Sequence, residues 1–150
     1  MLKQPQKIKI YTDGACSGNH KKGLNPGGWG VLFIYGDHEQ TMSGGEKNTT
    51  NNRMELMAVI QALEYLQHSV EIELYTDSQY VQKGISEWIH NWKRRNWRTA
   101  VGKPVKNQDL WIRLDNAVKK QSNIKWDWVK GHSGNRENDI VDKLAVNAIP

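Results

Sequence analysis

The sequence predicts an α/β fold: a five-stranded mixed sheet, three antiparallel strands followed by parallel additions, with helices on both faces. Three observations lead there. Near the start, three strand-like segments follow one another with only loops and turns between them. Further on, strand-like and helical segments alternate, and strands joined through helices need crossovers and so pair in parallel. Finally, the string Tyr-Thr-Asp closes two separate strand-like segments, at positions 11–13 and 75–77.

Each element has a local reason. From Lys7 to Gly14, Ile8, Ile10 and Thr12 alternate with Lys9, Tyr11 and Asp13, the period of a strand. Gly14 follows at once, so Asp13 is expected where the strand ends and the chain turns. Positions 17–28 read as a glycine- and asparagine-rich loop that lacks the spacing of a nucleotide P-loop. Positions 29–35 form a second strand, and Gly36 to Glu39 a hairpin turn into a third at 40–46. Positions 49–52, Thr-Thr-Asn-Asn, offer helix caps, after which Leu56, Val59, Ile60, Leu63 and Leu66 recur at helical spacing. Glu55 lies on the margin of that stripe, where a solvated first-turn glutamate is the ordinary reading. The second Tyr-Thr-Asp strand precedes a helix starting near Ser78, on which Trp88 and Trp92 share a face. Positions 109–120 form a helix with Leu110, Leu114, Ala117 and Val118 inward, and 124–129 a last strand. The loop Gly131-His132-Ser133-Gly134 has a glycine at each end, which leaves His132 mobile. A final helix turns Val141, Leu144, Ala145 and Ala148 inward, with Asp139 and Asp142 three apart on it.

Composition bounds the class. A chain of 150 residues supports one well-buried core, and a single domain over 1–150 is expected. No apolar run reaches membrane-spanning length, and the first strand starts too early to leave room for a signal peptide. Cys16 is the only cysteine, which excludes an internal disulfide and fits a reducing, cytoplasmic setting. It is expected as a buried small side chain. The formal charge of +5 favours a polyanionic partner. That charge is concentrated: Lys93, Arg94, Arg95, Arg98, Lys103 and Lys106 occupy a stretch without an acid. Charge runs are usually solvated faces, but Trp97 interleaves here, and exposed indoles beside cations suit a sugar–phosphate backbone.

The acids carry the chemistry. Parallel pairing in register would bring Asp13 and Asp77 to one edge of the sheet, on strands roughly 5 Å apart. Their charges would repel unless a cation joined them. Glu55 and one of Asp139 or Asp142 complete a set of oxygen ligands without histidine or cysteine. Such a set suits Mg²⁺ or Mn²⁺ rather than zinc. Hard cations beside a basic groove point to phosphoryl chemistry, in which two ions roughly 4 Å apart flank the scissile phosphate. Spacing does not choose between Asp139 and Asp142.

Longer strings then resemble a family. Tyr-Thr-Asp-Gly-Ala-Cys-Ser-Gly-Asn, Thr-Thr-Asn-Asn-Arg-Met-Glu-Leu, Tyr-Thr-Asp-Ser-Gln-Tyr-Val, Trp-Ile-His-Asn-Trp-Lys-Arg-Arg, Asp-Leu-Trp and Trp-Val-Lys-Gly-His-Ser-Gly are similar, in this order, to bacterial type 1 ribonuclease H. The resemblance runs from about Ile8 to Ala145 and implies a ribonuclease H-like fold that hydrolyses the RNA strand of RNA–DNA hybrids with two Mg²⁺ ions, Mn²⁺ serving as a substitute. It implies that Asp13 bridges both ions, that Glu55 and Asp77 hold the ion near the leaving oxygen, and that Asp142, placed before Leu144-Ala145, holds the one near the nucleophile. His132 matches a loop histidine assisting proton movement or product release. Trp88, Trp92 and the following Lys93, Arg94, Arg95, Trp97 and Arg98 match a basic protrusion that grips the DNA strand. Asn19, Thr50, Asn51, Asn52 and Gln79 match contacts to phosphates, sugars and minor-groove base edges. The loop after Asn19 is longer than the family's usual form and adds Lys21 and Lys22; the family's separate hybrid-binding domain is not expected. A monomer without membrane association is expected. Two rivals stand beside this reading. A non-catalytic hybrid-binding module would not need four acids in a polyanion groove, and other nucleases of the fold lack the basic protrusion.

Overall fold

The computed structural model describes residues 7–18, 25–129 and 135–150. In chain order they form β1 (Ile8–Cys16), β2 (Asn25–Tyr35), β3 (His38–Thr49), α1 (Asn51–Tyr65), β4 (Glu71–Thr76), α2 (Gln79–Lys83), a π-helical stretch (Gly84–Trp88), α3 (Ile89–Arg94), α4 (Gln108–Lys119), β5 (Asn123–Trp128) and α5 (Arg136–Asn147). The sheet runs in the order β3-β2-β1-β4-β5. β1 pairs antiparallel with β2 and parallel with β4, and β5 adds in parallel to β4, so the sheet is mixed as expected.

Strand alternation separates two faces. Ile8 and Ile10 of β1 and Val31 and Phe33 of β2 join the larger core with α1 and α4. The intervening Tyr11 and Leu32 meet Val141 of α5 in a smaller cluster on the other side. Thr50 caps α1, its side chain accepting from the Arg53 N–H at 3.2 Å. That helix is buried over more than one stripe, with Met54, Ala58 and Ala62 as inaccessible as Leu56, Val59 and Ile60. It docks between sheet and α4, so its whole inner half is apolar.

Several expectations need correction. β1 does not end at Asp13 but continues to Cys16, with Asp13 opposite Gly30 of β2. Gly14 is there for close approach rather than for a turn: a Cβ would lie 2.5 Å from the backbone of Met54 and Glu55. Residues 25–28, read as loop, belong to β2 and pair with Cys16 and Ala15 on one side and β3 on the other. Two of those four residues are glycines, so no alternation of side chains reveals the strand. β3 likewise starts at His38, straight after a two-residue turn, and runs on to Thr49. Trp111, absent from the expected inward set of α4, is fully buried there. The helix after Ser78 is not continuous α-helix but widens into the π-helical stretch at Gly84, where any Cβ would come 1.9 Å from the Trp111 ring. Cys16 is half-buried rather than buried, its Sγ lying 3.7 Å from the Asn25 carbonyl oxygen.

Candidate active site

The two Tyr-Thr-Asp strands pair in parallel and in register, Tyr11 opposite Tyr75. Their rings stack at 4.4 Å, and Asp13 and Asp77 follow two residues later on neighbouring paths. β4 ends at Thr76, so Asp77 heads the turn into α2, whose Ser78 cap accepts from Val81 N–H. Glu55 arrives from α1, admitted by the missing side chain of Gly14. One carboxylate oxygen each of Asp13, Glu55 and Asp77 lies within 4.8 Å of the other two. This is the floor of an open groove of about 500 Å³, walled by Asn51, Asn52, Gln79 and Tyr80 and bordered by Cys16 and Asp142.

Burial and mutual repulsion govern the titration of these groups. Asp13 is pushed up from 3.8 to about 7, first by burial, then by the Asp77 charge, with a smaller contribution from Asp142; the Gly14 N–H, donating to its Oδ1 at 2.9 Å, opposes this. Glu55 is pushed well above the usual carboxylate range by burial, then by Asp13 and Asp77. Its Oε1 is out of reach of solvent and accepts no hydrogen bond from the described residues. A solvated first-turn glutamate is thus excluded. Three carboxylate oxygens crowded at this distance suit a hard divalent cation, and their charge is what it would neutralise. The donor set fits Mg²⁺ or Mn²⁺.

On α5, Asp139 and Asp142 both line a small recess beside Asp13 and Asp77. Asp142 is the one whose carboxyl adds to the upward push on Asp13, although it stands outside the close trio. Asn138 lines the same recess and had no signal in the sequence beyond its neighbours. His132 and Asn19 lie outside the described residues. Thr50 is occupied as the cap of α1, whereas Asn51, Asn52 and Gln79 are exposed on the groove wall.

The basic stretch is placed less simply than expected. Arg94, Arg95 and Arg98 are exposed. Lys93 is exposed too but committed elsewhere, lying 3.3 Å from the largely buried Asp115 of α4, which Lys119 also pairs at 3.2 Å. The tryptophans are half-buried, not exposed indoles: Trp92 and Trp97 pack on the main core, and Trp88 leans on Trp92 with ring centres 5.6 Å apart. Trp88, Trp92, Tyr80 and Lys106 line a second, more apolar recess of about 290 Å³.

Comparison with known proteins decides the family. The RNase H family model matches residues 5–150. The chain belongs to the RNase H family. A ribonuclease H of Thiobacillus denitrificans is 60% identical over 142 residues, covering 95% of this chain and 93% of its own length. One from Bradyrhizobium sp. strain ORS 278 is 57% identical, covering 95% and 89%. Among solved structures, LC9-RNase H1, a type 1 RNase H with the type 2 active-site motif, superposes with a TM-score of 0.87 at 33% identity, covering 99% of this chain and 74% of that one. LC11-RNase H1, solved in complex with RNA/DNA hybrid, shares the fold with a TM-score of 0.71 at 24% identity, over 95% and 96% of the two chains. Membership makes the protein a nuclease. Among the described residues no helix is long and apolar enough to cross a membrane.

Proposed function

We propose that the protein is an endonuclease that hydrolyses the RNA strand of RNA–DNA hybrids with two Mg²⁺ ions, leaving 5′-phosphate and 3′-hydroxyl ends. The observation that carries this is the trio Asp13, Glu55 and Asp77 on the floor of an open groove walled by Asn51, Asn52 and Gln79. Asp13 in the centre, Glu55 and Asp77 on one side and Asp142 on the other would hold the ions. When bound, these ions activate the attacking water and neutralise charge on the scissile phosphate and the departing oxygen. The chain supplies the rest. Gly14 and the packing of α1 hold Glu55 against Asp13, so the ligand oxygens are brought together before substrate arrives. Asn51, Asn52 and Gln79 offer amides along the groove for sugar hydroxyls and base edges, where RNA differs from DNA. Arg94, Arg95 and Arg98 offer cations to the opposite strand, and such phosphate contacts carry little base specificity. His132 assists proton movement or product release, and Asn19 adds a contact from the loop. One catalytic domain over 1–150, acting as a monomer in the cytoplasm, completes the reading.

A purely binding module is disfavoured by the same trio, since buried carboxylates without metal repel phosphate. The test is incubation with end-labelled RNA–DNA hybrid, duplex DNA and duplex RNA, each with Mg²⁺ or EDTA. Internal cuts in the RNA of the hybrid alone, abolished by EDTA, are expected. Cutting that survives EDTA, or that consumes all three duplexes alike, would overturn the assignment.

A further inference from the structure

On β2 the side chains of Trp29, Val31 and Phe33 enter the main core, while the positions between them face α5. Leu32 is one of these and meets Val141. Gly30 is another, and it lies directly opposite Asp13 in the β1–β2 register. A Cβ at Gly30 would come 2.7 Å from the Leu144 Cβ, 2.7 Å from the Val141 carbonyl oxygen and 3.1 Å from the Ala145 nitrogen. That carbonyl belongs to the peptide bond leading into Asp142. The turn of α5 that carries Asp142 therefore rests on bare strand backbone beside Asp13. Gly30 is part of a regular strand, so room rather than conformational freedom is what calls for glycine there.

Two helices bring acids to Asp13, and each is seated on a glycine next to it. Gly14, its neighbour in the chain, admits α1 with Glu55; Gly30, its neighbour across the ladder, admits α5 with Asp142. The atoms that crowd position 30 are helix backbone and a Cβ, so no change of rotamer relieves the overlap. A methyl carbon keeps about 3.5 Å from its neighbours, so alanine would lift this turn by roughly 0.8 Å. A catalytic constellation tolerates about 0.5 Å. Gly45 of β3 offers the comparison: a Cβ there would overlap the carbonyl oxygen of Ala148, at the C-terminal cap of α5 and away from the carboxylates.

We infer that Gly30 is a positioning residue for the second ion: its missing side chain sets the height of Asp142 above the sheet, and with it the gap to Asp13 that this ion would span. The inference rests on the two-ion reading of the carboxylates.

The experiment compares Gly30→Ala, Gly45→Ala and Gly30→Ala combined with Asp142→Glu, each checked for folding by thermal melts in EDTA. Mn²⁺ bound to the free protein is counted by electron paramagnetic resonance, and hybrid cleavage is followed against Mg²⁺ concentration. Wild type is expected to take two Mn²⁺ ions, the tighter one at the trio. Gly30→Ala should hold the tighter ion within about twofold, weaken the other about tenfold, and lower kcat about thirtyfold at a KM within about threefold. Gly45→Ala should melt earlier yet keep both ions and its kcat. The longer glutamate reaches back across the lifted turn, so the double variant should recover about tenfold of the lost kcat. A Gly30→Ala protein that melts earlier but matches Gly45→Ala in ion binding and kcat would overturn the inference, leaving Gly30 a packing residue. So would a Gly30→Ala chain that fails to fold even with trimethylamine N-oxide, which favours compact states, because a seat that only sets a height yields to a sub-ångström shift. Wild type that binds a single ion would sink the two-ion reading and the inference with it, a result distinct from any failure of the variants.

Discussion

Replacing Asp13 by asparagine separates the cost of the acidic cluster from its use. The Gly14 N–H that donates to Asp13 Oδ1 at 2.9 Å can donate equally to the asparagine oxygen, so local geometry is kept. What changes is charge. In the metal-free protein Asp13 is held at about 7 against an ordinary 3.8, which at about 1.4 kcal/mol per pH unit caps its destabilisation at about 4 kcal/mol. The sign follows from protons bound: between pH 4 and 7 the folded state holds a proton that the unfolded state releases, so wild type loses stability as pH rises through that window. Above pH 7 the full cost is present; below pH 4 it vanishes. Because Asp77 and Glu55 relax partly when Asp13 is neutral, a gain of about 1–3 kcal/mol is expected for Asp13→Asn at pH 8, several degrees in melting temperature, and almost none at pH 4. Thermal melts in EDTA at both pH values measure it. Adding Mg²⁺ should raise the wild-type melting temperature and leave the variant where it was, while hybrid cleavage by the variant is lost. A variant no more stable at pH 8 than at pH 4, or one that still cuts, would refute the argument that these acids are crowded for a cation.

Other expectations follow from single contacts. Glu55→Gln should lose cleavage yet fold, and it should also stabilise the metal-free protein, because the charge it removes sits on a buried oxygen without a partner. Asp142→Asn should be severely impaired in cleavage assays and Asp139→Asn mildly, since Asp142 is the one that borders the carboxylate groove and raises Asp13; the opposite ranking would reassign the helix. Arg94→Ala with Arg95→Ala should raise KM and flatten the slope of log affinity on log salt by about 0.9 for each lost phosphate contact. Lys93→Ala should instead lower the melting temperature with little change in that slope, because Lys93 serves the buried Asp115. Gly14→Ala should destabilise by about 3 kcal/mol, read by denaturant melts, because its methyl would meet the α1 backbone at 2.5 Å.

The sequence by itself determined the five-stranded mixed sheet and the meeting of Asp13 with Asp77, while the order of strands across the sheet came from the tertiary structure. Those are consequences of period-two alternation, of crossovers that force parallel pairing, and of the same tripeptide recurring in two strand-like segments. It also marked Glu55 as an acid beside an apolar stripe, but solvation and burial look alike at that position from one strand of letters. Only the docking of α1 on Gly14 decides between them, because that approach is a contact between residues some forty positions apart. Long-range packing also overruled local reading elsewhere. Gly14 looked like a turn and is a gap for a helix; residues 25–28 looked like a loop and are paired backbone. Lys93 and Trp97 looked like parts of one free basic face, yet Lys93, though exposed, is paired with the buried Asp115, and Trp97 packs on the main core. Charge and alternation are local and survive in a sequence; whether a polar atom finds a partner depends on what folds against it.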